Sequence, residues 1–474
     1  MNIIKYIDNN TIKILSKKNE NIFDIDSCID NNFIEEINQI SDNSKYQSDY
    51  INEIFFHYEF NGYKFEKYFH KFNINEAKIH KNDKMGNIFI SKCLKNKISI
   101  SLSTRLKYFI LSIINFCIAT TSVLILSLLL PLYTILKYGF RDKDNISNFS
   151  IIRSKASNEK MSFIKEDFDV LMYEDSLTYK NNYLSMYNMT ITEKLLLLII
   201  IPYYSIRDFI FIIKESNMYF DSFFSGYILN HYKFRIVHKN IYEYALKLLL
   251  KHSNGIYYTG NKEDRFAICE KRLLKKYDVK SICIPHGLEY SFKRPAGLVG
   301  DNFYCTSENA KKVLTNLYSE NNFIFDKQIL SKMFSKNLKK VEEQKIVFFT
   351  ESRGIEINKK IIESLLKNGI NLYLKLHPKD NVSNYNIFKD KITILNNLNE
   401  AITNNICISR KSTILVESFF NGSFPIAILL EFTDKVAVEH LFPSLSDNSI
   451  TKVYDVKELK QIIKVNKYNA PTNS

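Results

Sequence analysis

Asn371-Leu372-Tyr373-Leu374-Lys375-Leu376-His377-Pro378-Lys379-Asp380 is an apolar run that ends at a proline. The leucines and Tyr373 favour an extended strand, and Pro378 stops it. The strand would deliver Lys375 and His377, two residues apart and on one side, at its carboxyl end. Ligands of parallel α/β sheets bind at that edge, so an ammonium and an imidazole there can meet an anionic leaving group such as a nucleotide phosphate. A histidine that only caps a loop is the alternative.

The pattern around this stretch predicts two Rossmann-like domains. Strands alternate with helices over residues 145–320 and again over 341–474, and a Lys/Asn-rich connection lies at 321–340. Such alternation is typical of parallel, doubly wound sheets, so the predicted fold class is α/β with two domains facing a cleft. Residues 1–104 are polar and aromatic, and we expect a small α+β or helical accessory region there.

Residues 105–144 hold an apolar segment that is long enough to reach across a bilayer. It runs from Tyr108 to Leu136 without a charge, and basic residues flank both ends. Because Pro131 is able to break a helix, we expect a re-entrant or monotopic hairpin at the cytoplasmic face of the cell membrane, with a single span as the alternative. A second apolar run, Leu195 to Ser205, is too short to span and predicts an interfacial or core helix.

Composition narrows the class of partner. The net charge of +14 favours an anionic membrane surface or an anionic substrate. No zinc spacing, aromatic RNP-like run or basic arm is present, so no nucleic-acid partner is predicted. The seven cysteines are scattered and never form Cys-x-x-Cys, which indicates a reducing compartment without disulfides or a cysteine metal site.

The stretch Arg410-Lys411-Ser412-Thr413 offers a way to hold phosphate. The sequence has neither Gly-x-Gly-x-x-Gly nor a P-loop, so a phosphate would have to be bound differently. Ser412 and Thr413 stand where a helix is predicted to begin, so hydroxyls and backbone N–H groups form an anion site, to which Arg410 and Lys411 add charge. Glu417, one turn later, can accept hydrogen bonds from ribose. An ordinary N-cap and a surface glutamate are the alternatives.

Two further strand ends carry candidate residues. Pro285-His286-Gly287 places scarce Pro and Gly around a histidine, so His286 can take a proton from an acceptor hydroxyl or hold a donor phosphate. A purely structural turn is the alternative. Glu351 and Arg353, before Gly354, lie at the end of the first strand of the C-terminal domain, where either is expected to line the cleft. Carboxylates of the first domain that could serve as the base instead of His286 are Glu174, Asp175 and Glu289.

Pro-His-Gly at 285–287, Lys-Leu-His-Pro at 375–378 and Ser-Thr at 412–413 together resemble the motif order of GT-B glycosyltransferases with cytidine-activated donors. These are the bacterial sialyl- and polysialyltransferases and the CDP-glycerol glycerophosphotransferases. The likeness covers about residues 250–430 and implies a GT-B-like fold. By this resemblance His377 binds the donor phosphate and helps the nucleotide leave, Ser412 and Thr413 hold the same phosphate, and His286 acts in the acceptor half. The Asp/Glu-Asp/Glu-Gly motif of the sialyltransferases has only a loose counterpart at 351–354.

The resulting expectation is a metal-independent glycosyltransferase that moves a sugar, such as sialic acid, from a CMP- or CDP-linked donor to a cell-surface polysaccharide or lipooligosaccharide. Its partners would be the nucleotide-sugar donor, a glycan or lipid-linked acceptor and the inner-membrane surface, with no cofactor. Asp24-Ile25-Asp26 and Asp167-Phe168-Asp169 match a metal-binding Asp-x-Asp, but so short a pattern often arises by chance. The alternatives are a CDP-glycerol-type glycerophosphotransferase, a UDP-sugar 2-epimerase and a non-catalytic glycan-assembly subunit.

Overall fold

The computed structural model describes residues 2–16, 19–45, 48–81, 83–139, 147–153, 170–173, 184–285, 287–334, 344–351 and 354–468. The chain divides into two compact units. The first contains residues 1–286, 292–304 and 317–322, and the second contains 287–291, 305–316 and 323–474. The N-terminal region, the apolar segment and most of the first parallel sheet therefore belong to one unit.

The N-terminal region is α+β, the first of the two folds expected for it. Its five strands are β1 (Asn2–Tyr6), β2 (Thr11–Leu15), β3 (Glu20–Asp24), β4 (Ile74–Ile79) and β5 (Ser99–Ile100), in the order β3-β2-β1-β4-β5. β1 pairs antiparallel with β2 and parallel with β4, so the sheet is mixed. The helical elements are the 3₁₀ turn Ile25–Cys28, α1 (Asn31–Asp42), α2 (Ile51–Ile54), the π-helical turn Phe55–Glu59, α3 (Phe60–Lys71) and α4 (Lys84–Lys95).

Three long helices follow, together with a shorter one: α5 (Leu102–Lys137), α6 (Ile191–Tyr219), α7 (Phe224–Leu250) and α8 (Arg265–Tyr277). The prediction that Pro131 breaks the apolar segment into a hairpin is wrong, because α5 continues through this proline. The second apolar run is also longer than predicted, since α6 has 29 residues. By length and composition alone, α5 and α6 are each able to cross a membrane.

The distribution of polar and apolar side chains on α5 is the reverse of that on a surface helix of a soluble protein. The side chains on its buried face are largely small or polar, among them Ser112, Ala119, Ser127 and Thr134. Large apolar side chains are exposed instead: Leu106, Ile110, Ile113, Ile114, Leu124, Ile125, Leu128, Leu129 and Leu132. Ser112 lies so close to Gly226 of α7 that a Cβ on this glycine would stand 2.3 Å from the Ser112 carbonyl oxygen. Close approach through small residues is typical of helix packing in membranes.

The first parallel sheet contains β6 (Phe149–Ile152), β7 (Val170–Tyr173), β8 (Leu184–Ser185), β9 (Tyr257–Thr259), β10 (Ser281–Cys283), β11 (Asn302–Tyr304) and β12 (Asn322–Ile324). Their order is β12-β11-β10-β9-β6-β7-β8. The pairs from β8 through β6 to β11 are parallel. Counted from β6, this is the strand order 3-2-1-4-5-6 of a Rossmann fold with one more strand at the edge.

The sheet of the second unit repeats that order. Its strands are β13 (Ile346–Phe349), β14 (Leu372–Lys375), β15 (Ile392–Ile394), β16 (Ile406–Ser409), β17 (Phe424–Ile428) and β18 (Thr451–Val453), arranged β15-β14-β13-β16-β17-β18 and parallel throughout. The helical elements of this part of the chain are α9 (Glu308–Leu317), α10 (Lys327–Phe334), α11 (Ile355–Lys367), the 3₁₀ turn Val382–Phe388, α12 (Leu398–Ile402), α13 (Ile414–Phe419), α14 (Phe432–Val436), the π-helical turn Ala437–Leu441 and α15 (Val456–Tyr468). The predicted fold class is confirmed: the chain is α/β, with the two Rossmann-ordered sheets that a GT-B-like fold contains.

Both faces of this second sheet are buried. Phe348, Leu374 and Ile408 pack on one face with helices α11 and α15. Val347, Phe349 and Cys407 pack on the other with α12. The strands of a parallel sheet that is covered on both faces are nearly continuous runs of apolar residues in the sequence, as β13 and β16 are. Its polar groups are thereby left to the strand ends.

Candidate functional site

The candidate site lies at the carboxyl edge of the second sheet, where β13 and β16 are neighbours. Strand order reverses between these two strands, because β14 and β15 follow β13 on one side and β17 and β18 follow β16 on the other. Ligands of doubly wound sheets bind at such a switch point. Thr350 and Glu351 follow β13, residues 410–413 follow β16, and His377 follows the adjacent β14. The structure therefore brings the sequence-predicted residues of this unit to one edge.

His377 is held by a hydrogen-bond network that the sequence did not reveal. Its backbone N–H donates to the Thr350 hydroxyl oxygen at 3.1 Å, and that hydroxyl donates to Asp380 at 2.8 Å. Asp380 also accepts from Tyr385 at 2.6 Å and from Asn384 at 2.9 Å. Burial raises the pKa of Asp380, but these hydrogen bonds outweigh it and lower the pKa overall. The loop after β14 is thus fixed by an ionised carboxylate.

The hydrogen bonds of the His377 ring define its donor atom. Nδ1 accepts the backbone N–H of Lys379 at 3.1 Å. In the neutral imidazole the proton is therefore on Nε2. Among the residues that the structure describes, Nε2 has no hydrogen-bond partner, and the side chain is half-buried. This N–H is available to a ligand oxygen.

Lys375 is the last residue of β14 and is aligned with Phe349 of β13. Its ammonium donates to the carbonyl oxygen of Asn396 at 2.6 Å, and burial lowers its pKa. The side chain is therefore drawn toward the loop after β15. A ligand phosphate would have to compete with that carbonyl for it.

Arg410 does not supply the free positive charge that the sequence predicts for it. Its side chain is only 3% exposed and forms two hydrogen bonds to Asp434, at 2.6 and 2.8 Å. Lys411 lies 3.0 Å from the same carboxylate. Burial lowers the pKa of Arg410, but the bonds and charge of Asp434 outweigh it and raise the pKa. Both cations are thus already paired with a carboxylate of the protein.

Glu351 joins the loops after β13 and β16. One oxygen accepts the backbone N–H of Lys411 at 3.0 Å, and the other lies 3.7 Å from the Arg410 guanidinium. Gly354 has a φ of +76°, and a Cβ there would lie 2.9 Å from an Arg410 nitrogen. Glycine is therefore required by its conformation and by its neighbour. A catalytic role for Glu351 stays a prediction.

Ser412 and Thr413 lie at the start of α13, as predicted. The Ser412 hydroxyl accepts the backbone N–H of Ile414 at 3.3 Å, and the Thr413 carbonyl accepts those of Val416 and Glu417. The Thr413 side chain makes no capping hydrogen bond. Since α13 has only six residues, its dipole contributes less than the sequence suggests. Both hydroxyls are half-buried, as is Glu417, and ligand binding by all three stays a prediction.

Not every candidate can be placed. His286, Ser352, Arg353 and Asp167-Phe168-Asp169 lie outside the described residues. Thr350, Asp380 and Asp434 were missed by the sequence reasoning. Asp380 could have been found from its place three residues after His377, whereas Thr350 and Asp434 are recognisable only through their contacts.

The described acidic residues give no reason to propose a metal. Asp24 caps the turn at Ile25–Cys28 with its side chain, and Asp26 forms an ion pair with Lys64 at 2.6 Å. Asp49, Glu243 and Cys269 lie together, but Lys239 and Arg272 already contact both carboxylates. A cavity of about 690 Å³ lies elsewhere in the second unit, lined by residues of α9 and by Ser446, Asp447 and Asn448. It does not include the residues at the ends of β13, β14 and β16.

A Rossmann-ordered sheet with polar groups at its switch point is typical of nucleotide-binding α/β domains. No protein family and no curated protein matches the sequence. Among solved structures, a UDP-GlcNAc 2-epimerase from Methanocaldococcus jannaschii, in complex with UDP-GlcNAc and UDP, is 12% identical. The similarity covers 68% of this chain and 92% of the epimerase, with a TM-score of 0.38.

Two other solved structures are similar to the same degree. MnaA from S. aureus with UDP is 11% identical over 69% of this chain and 90% of its own, with a TM-score of 0.38. The UDP-GlcNAc 2-epimerase from Neisseria meningitidis bound to UDP-GlcNAc is 10% identical. The similarity covers 68% of this chain and 93% of the epimerase, with a TM-score of 0.37. These likenesses are too distant to carry a functional conclusion.

Proposed function

We propose that the protein is a metal-independent glycosyltransferase whose second unit binds a nucleotide-activated sugar, CMP- or CDP-linked. The observation that carries the proposal is the convergence of the loops after β13, β14 and β16 on the switch point of the sheet. The acceptor is a cell-surface polysaccharide or lipooligosaccharide. No cofactor is required, because the nucleotide is itself the leaving group.

In this proposal His377 stabilises the departing nucleotide. Its Nε2–H donates to a phosphate oxygen as the glycosidic bond breaks, and the ring is held ready by the Lys379 N–H and the Thr350–Asp380 network. The hydroxyls of Ser412 and Thr413 bind the same phosphate, and Glu417 contacts ribose. Arg410 is a positioning residue that holds Glu351 and Gly354 through its pairing with Asp434.

The proton of the acceptor hydroxyl must go to a base as the new bond forms. His286 is our first candidate from the sequence, and Glu351 is the second. Glu351 already accepts a hydrogen bond from Lys411, so it would have to release part of that contact to act. A change in pH profile for His286→Asn but not for Glu351→Gln would assign the role to His286.

We further propose that α5 and α6 attach the first unit to the cytoplasmic face of the membrane. This is supported by the large apolar side chains exposed on both, such as Leu128 on α5 and Ile199 on α6. Helices of soluble proteins bury that face, whereas lipid is a suitable environment for it. A donor made in the cytosol and a lipid-linked acceptor would then meet at the same surface.

An in-plane position fits the contacts better than a span. The helix α7 packs against both α5 and α6, and it carries Lys239, whose side chain is fully buried. Lys239 contacts Asp208 of α6 at 2.6 Å and Glu243 at 3.0 Å. A span of α5 and α6 would take this ion network into the hydrocarbon, which is costly even for paired charges. Both ends of α5 should therefore react with a label from the cytoplasmic side only.

The transferase proposal is tested by donor turnover in the full-length protein in detergent. CMP-sialic acid, CDP-glycerol and UDP-GlcNAc are supplied with and without acceptor glycan, and nucleotide release is measured. We expect one cytidine donor to be used, and His377→Ala to reduce the rate about 100-fold. The matched control is Lys379→Ala, which keeps the backbone N–H that His377 accepts. Equal turnover in His377→Ala, or acceptor-independent epimerisation of UDP-GlcNAc, would contradict the proposal.

A further inference from the structure

A second polar cluster, in the first unit, forms around the π-helical turn Phe55–Glu59. Such turns are rare inside helices and are frequent at functional sites. The turn presents His57 and Tyr58, and the Tyr58 hydroxyl is hydrogen-bonded to Nδ1 of His231 on α7. The centroids of the His57 and His231 rings are 6.3 Å apart. The cluster therefore joins an N-terminal helix to one of the long helices.

Arg235 fixes the state of His231. Its guanidinium lies 3.0 Å from Nε2 of His231 and can only donate, so this nitrogen must accept. Burial, together with the charges of Arg235 and Lys84, lowers the pKa of His231 to about 4. Burial and the charge of Lys84 likewise lower the pKa of His57 to about 3. Both imidazoles are neutral in the free protein at physiological pH.

Lys84 completes the cluster from the start of α4. Its ammonium lies 4.3 Å from the centre of the Tyr58 ring. Partial burial of this ammonium lowers the pKa of Lys84, although much of the residue is exposed, and the positive charge of Arg235 lowers it in the same direction. Among the described residues no carboxylate lies within ion-pair distance of Lys84 or Arg235. Burial raises the pKa of the nearby Glu53, which is paired with Arg265 at 3.2 Å, and the charge of Arg235 acts on it in the opposite direction.

This arrangement is costly unless an anion completes it. Two cations that are close enough to disfavour each other's charge destabilise the free protein, whereas a bound anion would be attracted to both. The ring nitrogens of His57 also have no hydrogen-bond partner among the described residues. Solvent reaches the cluster, since Lys84 is exposed and His57, His231 and Arg235 are only half-buried.

We propose that Lys84, Arg235 and His57 form a binding site for a phosphoryl group in the first unit. The cations supply charge, and His57 supplies a neutral N–H donor. This site is separate from the nucleotide site of the second unit and does not depend on the transferase proposal. The phosphoryl group belongs either to a phosphorylated saccharide or to a phospholipid headgroup near α5 and α6.

The test compares Lys84→Gln and Arg235→Gln with Lys233→Gln in the full-length protein. Lys233 lies on the same helix as Arg235, and its removal changes the net charge equally. One arm titrates glucose 1-phosphate by calorimetry, with glucose as the neutral control. The other arm measures sedimentation with phosphatidylcholine vesicles that contain or lack phosphatidylglycerol. His377→Ala is included to separate this site from the nucleotide site.

We expect affinity to fall at least about tenfold in Lys84→Gln and Arg235→Gln, but not in Lys233→Gln or His377→Ala, in one of the two arms. The arm in which it falls identifies the source of the phosphoryl group. Unchanged binding in both arms would overturn the proposal.

Discussion

Two cationic clusters of this protein differ in what surrounds them. In the second unit Arg410 and Lys411 share the buried carboxylate of Asp434, and Glu351 lies 3.7 Å from Arg410, so two carboxylates balance the two cations. In the first unit Lys84 and Arg235 have no such carboxylate among the described residues. The sequence points to the first pair and is silent about the second. The number of cations in a motif therefore does not predict an anion site. A cation is available to a ligand only if no carboxylate of the protein already pairs with it.

The largest expected effect comes from removing the balancing charge in the second unit. Asp434→Asn would leave the buried charge of Arg410 with only the more distant carboxylate of Glu351, so we expect a loss of about 3 kcal/mol in the free energy of unfolding. Denaturant unfolding of the two proteins measures it. Equal stability of this variant and wild type would contradict the claim that Asp434 balances the buried charge of Arg410.

The next effect concerns the network behind His377. Because hydrogen bonds lower the folded pKa of Asp380, the stability they contribute is present above its unfolded pKa and is lost as pH falls through the folded value. We expect Asp380→Asn to cost about 1–3 kcal/mol at pH 7. This difference should shrink in acid, and unfolding curves at several pH values would show it. A difference that does not change with pH would mean that Asp380 is not ionised in the fold.

The smallest effect tests the packing between the two loops of the switch point. Gly354→Ala forces a side chain into a left-handed conformation and toward the Arg410 guanidinium, so we expect a cost of about 1–2 kcal/mol. Gly369→Ala is the matched control, since it also has a positive φ but no atom within 4 Å of the added Cβ. Equal losses would show that only the backbone conformation matters and that Arg410 moves freely.

Local patterns predicted most of the fold. The apolar run before His377 became β14, and the Ser-Thr pair came to the start of α13, because these features depend on neighbouring residues. The continuity of α5 through Pro131 was not predicted. A proline by itself does not reveal the neighbouring helices that help a continuous helix to accommodate it. The polar face of α5 also gave no local signal, because its serines and threonine are spaced among large apolar residues.

The candidate site was predicted only in part, for a similar reason. The strand ends are local features, and the sequence located them. The contact of Arg410 with Asp434 spans 24 residues, and that of Tyr58 with His231 spans 173. Such pairs form only after the sheets and helices have packed. The state of a charged group in the site therefore depends on tertiary contacts that no motif contains.

The most direct test of the central claim is a crystal structure of the full-length protein soaked with CMP. We predict a phosphate oxygen about 2.7–3.2 Å from Nε2 of His377, with the hydroxyls of Ser412 and Thr413 hydrogen-bonded to the same phosphate. A nucleotide bound away from the carboxyl edge of β13, β14 and β16, or no nucleotide bound at millimolar CMP, would contradict it.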